Sequence, residues 1–431
     1  MKEALNLIHS NKIYIKIFKE IDNKYKKYGK ITGSFNIKAK NEDEKLVLSN
    51  FDSNVMFDNN AKIKCKTVEE LFNRKLKNFT FLELLECVIG EELKTNKEIN
   101  DYEGNKKKNF FYDVITGAEE GCGKYWFEFA VMNKTYGYNQ VIRKYNELNL
   151  KNSLKNFKKD LIMVINSINC LPYIKGTFEN IAVFAAKHTK NPHFFDYNTY
   201  NGNLFFHGIE YILKKENKNG DYDINEKNEM YYKVGILKDE ISNHSTIYGF
   251  EAFDNFKNEI KAISDYSNWN EPLQISLSNL LRIDSLKVKK DMVFIFENPS
   301  VFHEVLKNVK KDVSLICTSG QLNLSSYMIL DKIINLKTIY YAGDFDPEGL
   351  QIAYKIKLKY KEKVKFLLYD KEHYLKIKGE NDIDDKRLKM LNSISCCDLN
   401  EIITEISKEK KAAYQELLID EYIDEITNIN F

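Results

Sequence analysis

Thr338-Ile339-Tyr340-Tyr341-Ala342-Gly343-Asp344-Phe345-Asp346-Pro347-Glu348-Gly349 is the stretch from which the fold can be read. An apolar run, as expected for a strand covered on both faces, ends in a carboxylate. A capping residue, Asp346, and a proline at the first helical position follow, where the missing N–H costs nothing. The pattern predicts a buried strand over 338–342 turning sharply into a helix from Pro347 to about Tyr360. The same grammar occurs upstream. Met292–Phe296 reads as a buried strand, Glu297-Asn298-Pro299 as carboxylate, cap and first helical residue, and a helix is expected to about Val309. Between the two lie a strand over Val313–Cys317, a Thr318-Ser319-Gly320 turn and a helix from about Asn323 to Ile334. Val364–Tyr369 supplies a fourth strand. Strands alternating with helices imply a parallel sheet with right-handed crossovers.

In such a sheet the chemistry sits at the carboxyl ends of the strands. Two sharp turns place Glu297 and Asp344 at one rim, and alternation in extended chain points Asp344 and Asp346 to the same side. Three carboxylates converging there cannot all stay ionised and unpaired, so a divalent cation is the natural partner. Mg²⁺, or Mn²⁺ in its place, suits an all-oxygen set with open positions for water and phosphate oxygens. Taken singly, Asp346 reads as a helix cap and Glu297 as a solvated strand end. A Glu after the first strand, DxD after the third, and glycines flanking the DxD together favour the functional reading. Thr318, Ser319 and Gly320 could offer N–H groups or hydroxyls to a phosphate at a helix N-terminus. The alternating lysines from Lys355 through Lys359 to Lys365 read either as a solvated face or as a track for a phosphate backbone. Glu380, Asp382, Asp384 and Asp385 read as loop acids, and Glu416 as surface. His188 and His193 near Asp196 read as structural. Gly117–Tyr125 imitates a phosphate loop but lacks glycine at 118 and Ser/Thr at 125, which excludes a P-loop ATPase.

Upstream the first half reads as mostly helical. Helices are expected over 1–30 and 67–95 with an extended Ser34–Lys38 between them, and helical periodicity returns over 126–190. The polar, glycine-bearing segment from 100 to 125 reads as a loop or boundary. Lys214–Lys227 reads as an exposed insertion or hinge, and Leu273–Leu281 as a short helix. The 431 residues suffice for about three domains. A net charge of +2 means that any nucleic-acid surface must be a local patch. Only Arg74, Arg143, Arg282 and Arg387 are arginines in a lysine-rich chain. Seven irregularly spaced cysteines argue against a disulfide framework and for a reducing, cytoplasmic setting. The polar start, Met1-Lys2-Glu3, does not resemble a signal peptide, and no apolar run is long enough for a membrane span.

A Glu followed two strands later by DxD resembles the Toprim fold of topoisomerases, primases and several nucleases. More specifically, Phe296–Val301, Cys317–Gln321 and Gly343-Asp344-Phe345-Asp346-x-x-Gly349 resemble the Toprim subunit of Wadjet plasmid-defence systems, the JetD family. Ala185–Asp196, Val234–Ser242 and Glu271–Ile275 are similar to a divergent branch of that family, while residues 1–150 match only loosely. Relatives often carry an aromatic directly after GDFD, where this chain has Pro347. The resemblance implies an α+β multidomain protein with three parts. These are an N-terminal, mostly helical arm (1–125), a helical region with a winged-helix-like DNA-binding domain (126–285), and a C-terminal α/β Toprim domain (286–431). It further implies a dimeric Mg²⁺-dependent endonuclease acting on closed-circular plasmid DNA, recruited by an SMC-like ATPase with kleisin and accessory subunits. In that reading Glu297, Asp344 and Asp346 are the catalytic and metal-holding residues. The alternatives are a topoisomerase-like transesterase using a tyrosine, and a non-catalytic DNA-binding scaffold.

Overall fold

The computed structural model describes residues 1–76, 78–215, 222–309 and 312–429. The chain divides into two compact units, Met1–Gly117 and Ala118–Phe431.

The first unit is mostly helical. Helices Lys2–Ser10 and Ile13–Tyr28 put Ile8, Ile13, Ile17, Phe18 and Ile21 on one buried stripe. Gly29, in the left-handed region, ends the second helix as expected of a C-terminal glycine. An antiparallel ribbon of β1 (Ser34–Lys38) and β2 (Asn60–Lys64) buries alternate residues on the helices. Phe18, Phe72 and Phe81 close the core, the first two edge-on at 5.2 Å. The segment read as a loop from residue 100 is instead the long helix Asn96–Gly117. Its apolar stripe is confined to Phe110, Phe111 and Val114, so Gly104 and the lysines beside it hid the helical period.

The second unit opens with four helices between Cys122 and Thr189. Gly123 lets the first of them approach the helix Leu154–Asn169 closely, since a Cβ there would lie 2.1 Å from the Ile165 carbonyl oxygen. The P-loop look-alike is thus a helix–helix contact. A short parallel pair, β3 (Glu179–Asn180) and β4 (Ile236–Leu237), follows. Of the Lys214–Lys227 window, residues 216–221 lie outside the described residues. Its end forms a capping box on Asp223 and Glu226 that starts the helix Ile224–Lys233.

The remaining strands are β5 (His244–Tyr248), β6 (Phe250–Phe253), β7 (Leu273–Ser276), β8 (Ser285–Val288), β9 (Met292–Phe296), β10 (Leu315–Cys317), β11 (Thr338–Ala342) and β12 (Val364–Phe366). Two more, β13 (Lys378–Asp382) and β14 (Lys411–Ala413), pair with each other. The central sheet has the order β12-β11-β9-β10-β5-β7. Its four strands from β9 to β12 are parallel, as the alternation predicted. The sheet as a whole is mixed, because β5 runs antiparallel to β10 and β7 antiparallel to β5. It therefore begins before residue 286, with strands from the segment expected to form a winged-helix-like domain. Leu273–Ser276, expected in a helix, is strand β7, and helix follows only over Leu277–Leu280. Four residues are too few to display a period, and pairing with β5 decides the outcome.

Val293, Phe294, Ile295 and Phe296 of β9 and Ile339, Tyr341 and Ala342 of β11 are buried, consistent with helices over both sheet faces. All seven cysteines are free. Among the described residues no helix is long and apolar enough to cross a membrane.

Candidate active site at the carboxyl edge of the sheet

Strands β9 and β11 lie side by side, with Phe296 opposite Ala342, so the residues that follow emerge together. The Glu297 N–H donates to the Ala342 carbonyl at 3.3 Å, and a Cβ on Gly343 would lie 3.0 Å from Glu297 Oε2. Both predicted caps form. Asn298 accepts from the Ser300 N–H and Asp346 from the Gly349 N–H, each at 2.8 Å, with Pro299 and Pro347 opening their helices. The two turns bring Glu297, Asp344 and Asp346 to one edge, as the sequence pattern anticipated.

Burial dominates the electrostatics of this edge. Glu297 is pushed up to about 7, first by loss of water and then by the neighbouring Asp344 and Asp346 charges. Its Oε2 is buried and, among the described residues, has no hydrogen-bond partner. The Asp344 N–H and then the Tyr341 hydroxyl temper the rise, and among the described residues that hydroxyl too has no partner of hydrogen-bonding geometry. Burial also raises Asp344, opposed by the Gln415 N–H that donates to its Oδ1 at 3.1 Å, with Glu416 and Asp346 adding to the rise. Asp346 is raised by burial as well. The Gly349 N–H opposes that rise, Glu348 adds to it, and Arg387 opposes it in turn.

Five residues from positions far from the motif in sequence take part. Phe345 pairs with Ala413 in an isolated bridge, with N–H···O distances of 2.9 and 3.2 Å, and so carries β14 and the residues after it to the acids. Gln415, fully buried, arrives with its side-chain amide atoms unpartnered among the described residues. Glu416, read as surface, is exposed but stands at the rim, accepting from Asn298 Nδ2 at 2.6 Å. Tyr369 donates to the Asp344 carbonyl at 2.6 Å and fixes the turn from below. Arg387 donates through Nη2 to Asp346 Oδ2 at 2.7 Å and Glu348 Oε2 at 2.5 Å, and through Nε to both Glu348 oxygens at 2.9 and 3.1 Å. The Arg387 contacts hold the Glu348 carboxyl below its ordinary range.

That last pairing modifies the expectation of three unpaired carboxylates, since Asp346 already has a side-chain cation. Among the described residues no three His, Cys, Asp or Glu side chains are placed to hold a metal ion as they stand. The donor chemistry still suits a hard divalent cation. All three groups are carboxylates, and among the described residues Glu297 Oε2 is a buried acceptor without a partner of hydrogen-bonding geometry.

The other candidate residues fall into two groups. Thr318-Ser319-Gly320 lies at the same edge, but the Thr318 hydroxyl donates to the Gly320 carbonyl at 2.7 Å and the Gly320 N–H to the Glu297 carbonyl at 3.1 Å. The Thr318 N–H donates to the Phe296 carbonyl at 3.1 Å, so three donors of the turn are engaged, one of them bracing Glu297. Lys355 and Lys359 lie about 13 and 20 Å along their helix from Asp346, at 1.5 Å per residue. They pair with Asp223 and Asp331, each at 2.8 Å. Both lysines are engaged away from the acids. Of the four acids read as loop residues, Glu380 and Asp382 instead lie in β13 and Asp385 opens the short helix Asp385–Leu388, which Asp384 caps and which carries Arg387; Asp382 and Asp385 pair with Lys411 and Lys410. His193 contacts Asp196 at 3.0 Å on the exposed surface, and His188 packs on the Phe184 ring.

Residues 31–252 match the family described as "Protein of unknown function N-terminus (DUF3323)", and residues 273–426 the one described as "Protein of unknown function C-terminus (DUF2399)". The first match covers just over half of the chain. No curated protein matches it.

Proposed function

From a chain that belongs to the family described as "Protein of unknown function N-terminus (DUF3323)", a membership that assigns no chemistry, we propose a divalent-cation-dependent phosphodiesterase acting on DNA, with a Toprim-type site. The observation that carries the proposal is Glu297. It is a half-buried carboxyl with one buried oxygen that is unpartnered among the described residues, raised to about 7, and it faces Asp344 and Asp346 across the carboxyl edge of parallel strands. Buried acids with perturbed proton affinity at such an edge are characteristic of catalytic sites.

Asp344, Asp346 and Glu297 would hold Mg²⁺, which when bound offsets phosphate charge and acidifies a water. Glu297 would either complete that metal site or, left free of the cation, exchange a proton with the attacking water or the leaving oxygen. Gln415 and the Phe345–Ala413 bridge orient Asp344. The Thr318–Gly320 turn and the Asn298–Glu416 contact hold the Glu297 corner. Endonucleolytic cutting of closed-circular plasmid, a dimeric state, a winged-helix-like DNA-binding region and an SMC-like ATPase partner rest on the JetD resemblance alone.

Hydrolysis is favoured over transesterification because Tyr341, Tyr369 and Tyr422 beside the acids are buried and held protonated well above the ordinary phenol range. The exposed Tyr414, one residue before Gln415, is the phenol that a transesterase would use.

Full-length protein is expected to bind Mn²⁺ at a site weakened by Asp344→Asn, and to convert supercoiled plasmid to nicked or linear DNA in Mg²⁺ but not in EDTA. Cutting that persists in EDTA, or Mn²⁺ binding indifferent to Asp344, would overturn the proposal. Protein covalently joined to DNA ends, and lost in Tyr414→Phe, would replace hydrolysis by transesterification.

A further inference from the structure

Arg387 is one of four arginines in a chain whose other cations are almost all lysines, and it is the one that reaches the acids. A lysine would neutralise Asp346 as a point charge. A guanidinium can bridge Asp346 and Glu348 in one plane. Its backbone is fixed, because Asp384 Oδ1 accepts from the Arg387 N–H at 2.9 Å and the following turn is tied to the motif helix through Gln351 and Met390. The side chain is about one-third exposed, and Nη1 makes no hydrogen bond among the described residues. Arg387 therefore holds with Nη2 the Asp346 oxygen Oδ2 that a divalent cation would need, while another face of its guanidinium is open to solvent.

We propose that Arg387 is a resident counter-cation of the site. It occupies Asp346 when no divalent cation is bound, yields that carboxylate to the cation, and then presents its guanidinium to a phosphate oxygen of the DNA. This deepens the nuclease reading and rests on it. The exchange conserves charge pairing at each stage. Asp346 never stands buried without a cation, which is the costly state, and the freed guanidinium gains a phosphate, which its fork fits as well as a carboxylate. Divalent-cation binding and DNA binding are thereby coupled through one side chain, and the coupling acts in both directions. Arg387 is a positioning residue toward Asp346, which it contacts directly, and a binding residue toward the phosphate.

The test is Mn²⁺ affinity of the full-length chain, by calorimetry or by loss of the free-ion resonance signal, without DNA and then with a cleavage-resistant duplex. Arg387→Gln is expected to bind Mn²⁺ about tenfold more tightly than wild type without DNA, and to lose the tightening that duplex confers on the wild type. Arg387→Lys keeps the charge but not the fork, and should fall between the two. Arg387→Lys serves where Arg387→Gln does not fold. Unchanged or weaker Mn²⁺ binding in both folded variants would overturn this inference and leave the nuclease reading standing. Failure of the wild type to bind Mn²⁺ through Asp344 would instead remove the nuclease reading itself.

Discussion

Glu297→Gln is expected to give a protein that resists urea better than the wild type at pH 8 and cuts DNA at least a hundredfold more slowly. The stability half follows from linkage. Glu297 titrates near 4.5 unfolded and near 7 folded, raised first by burial and then by the Asp344 and Asp346 charges. Below pH 4.5 the carboxyl is protonated in both states and contributes nothing. Between 4.5 and 7 the unfolded chain ionises while the folded one does not, so stability falls as pH rises. The loss levels off above pH 7 at no more than about 3 to 4 kcal/mol, taking about 1.4 kcal/mol per pH unit. Glutamine removes that cost, so the urea midpoints of wild type and variant should lie close together at pH 4.5 and separate by pH 8. Adding Mg²⁺ at pH 8 should raise the wild-type midpoint toward the variant's, because a ligand of the folded state stabilises by mass action. The activity half follows from the same carboxyl. Positioned acid–base catalysis is worth about 10² to 10⁴ in rate, which is what the variant forgoes. A variant less stable than wild type at pH 8 would mean that Glu297 makes a stabilising contact outweighing its burial.

The parts of this edge that were legible in the sequence share a property: their signals are local. Met292–Phe296 and Thr338–Ala342 announce themselves as unbroken apolar runs, and Asn298-Pro299 and Asp346-Pro347 as caps, because capping is decided within three residues. Convergence of Glu297 with the DxD then follows from parallel topology alone. Strands β5 and β7 escaped because His244–Tyr248 mixes polar with apolar residues, and an antiparallel addition to a parallel sheet has no crossover helix to reveal it. Arg387 and Gln415 escaped for a different reason. Each reaches the acids through long-range contacts, Gln415 by way of the Phe345–Ala413 bridge, and neither carries a local signature. The one available signal for Arg387 was compositional: an arginine retained where lysine is the chain's habit. Three converging carboxylates call for positive charge at this edge. The structure shows that the chain supplies a cation of its own.

Gly349→Ala is expected to cost about 2 to 3 kcal/mol of stability and to lower cutting by at least a hundredfold. The usual explanation of a glycine at the end of a DxDxxG run is backbone freedom, but Gly349 sits within the first turn of a regular helix, where alanine is the better helix former. Its need for glycine is steric. A Cβ there would lie 2.2 Å from the Asp344 carbonyl oxygen and 3.2 Å from the Tyr369 hydroxyl. The carbonyl cannot simply retreat. Tyr369 donates to it at 2.6 Å, and the next residue, Phe345, is bonded in both directions to Ala413. Relief of a contact this short requires the turn to move by about 1 Å. Overpacking of that kind costs about 1 to 3 kcal/mol, and a 1 Å misplacement of reacting groups about a hundredfold in rate. The same shift carries Asp344 away from Glu297, so Mn²⁺ binding should weaken in parallel with cutting. Tyr369→Phe separates the two effects. It removes one hydrogen bond, worth about 1 kcal/mol, without pushing on the turn, so stability should fall modestly while Mn²⁺ affinity changes by less than in Gly349→Ala. A Gly349→Ala protein with wild-type urea midpoint and wild-type Mn²⁺ binding would show that the turn has slack, and that Asp344 is not held where these contacts place it.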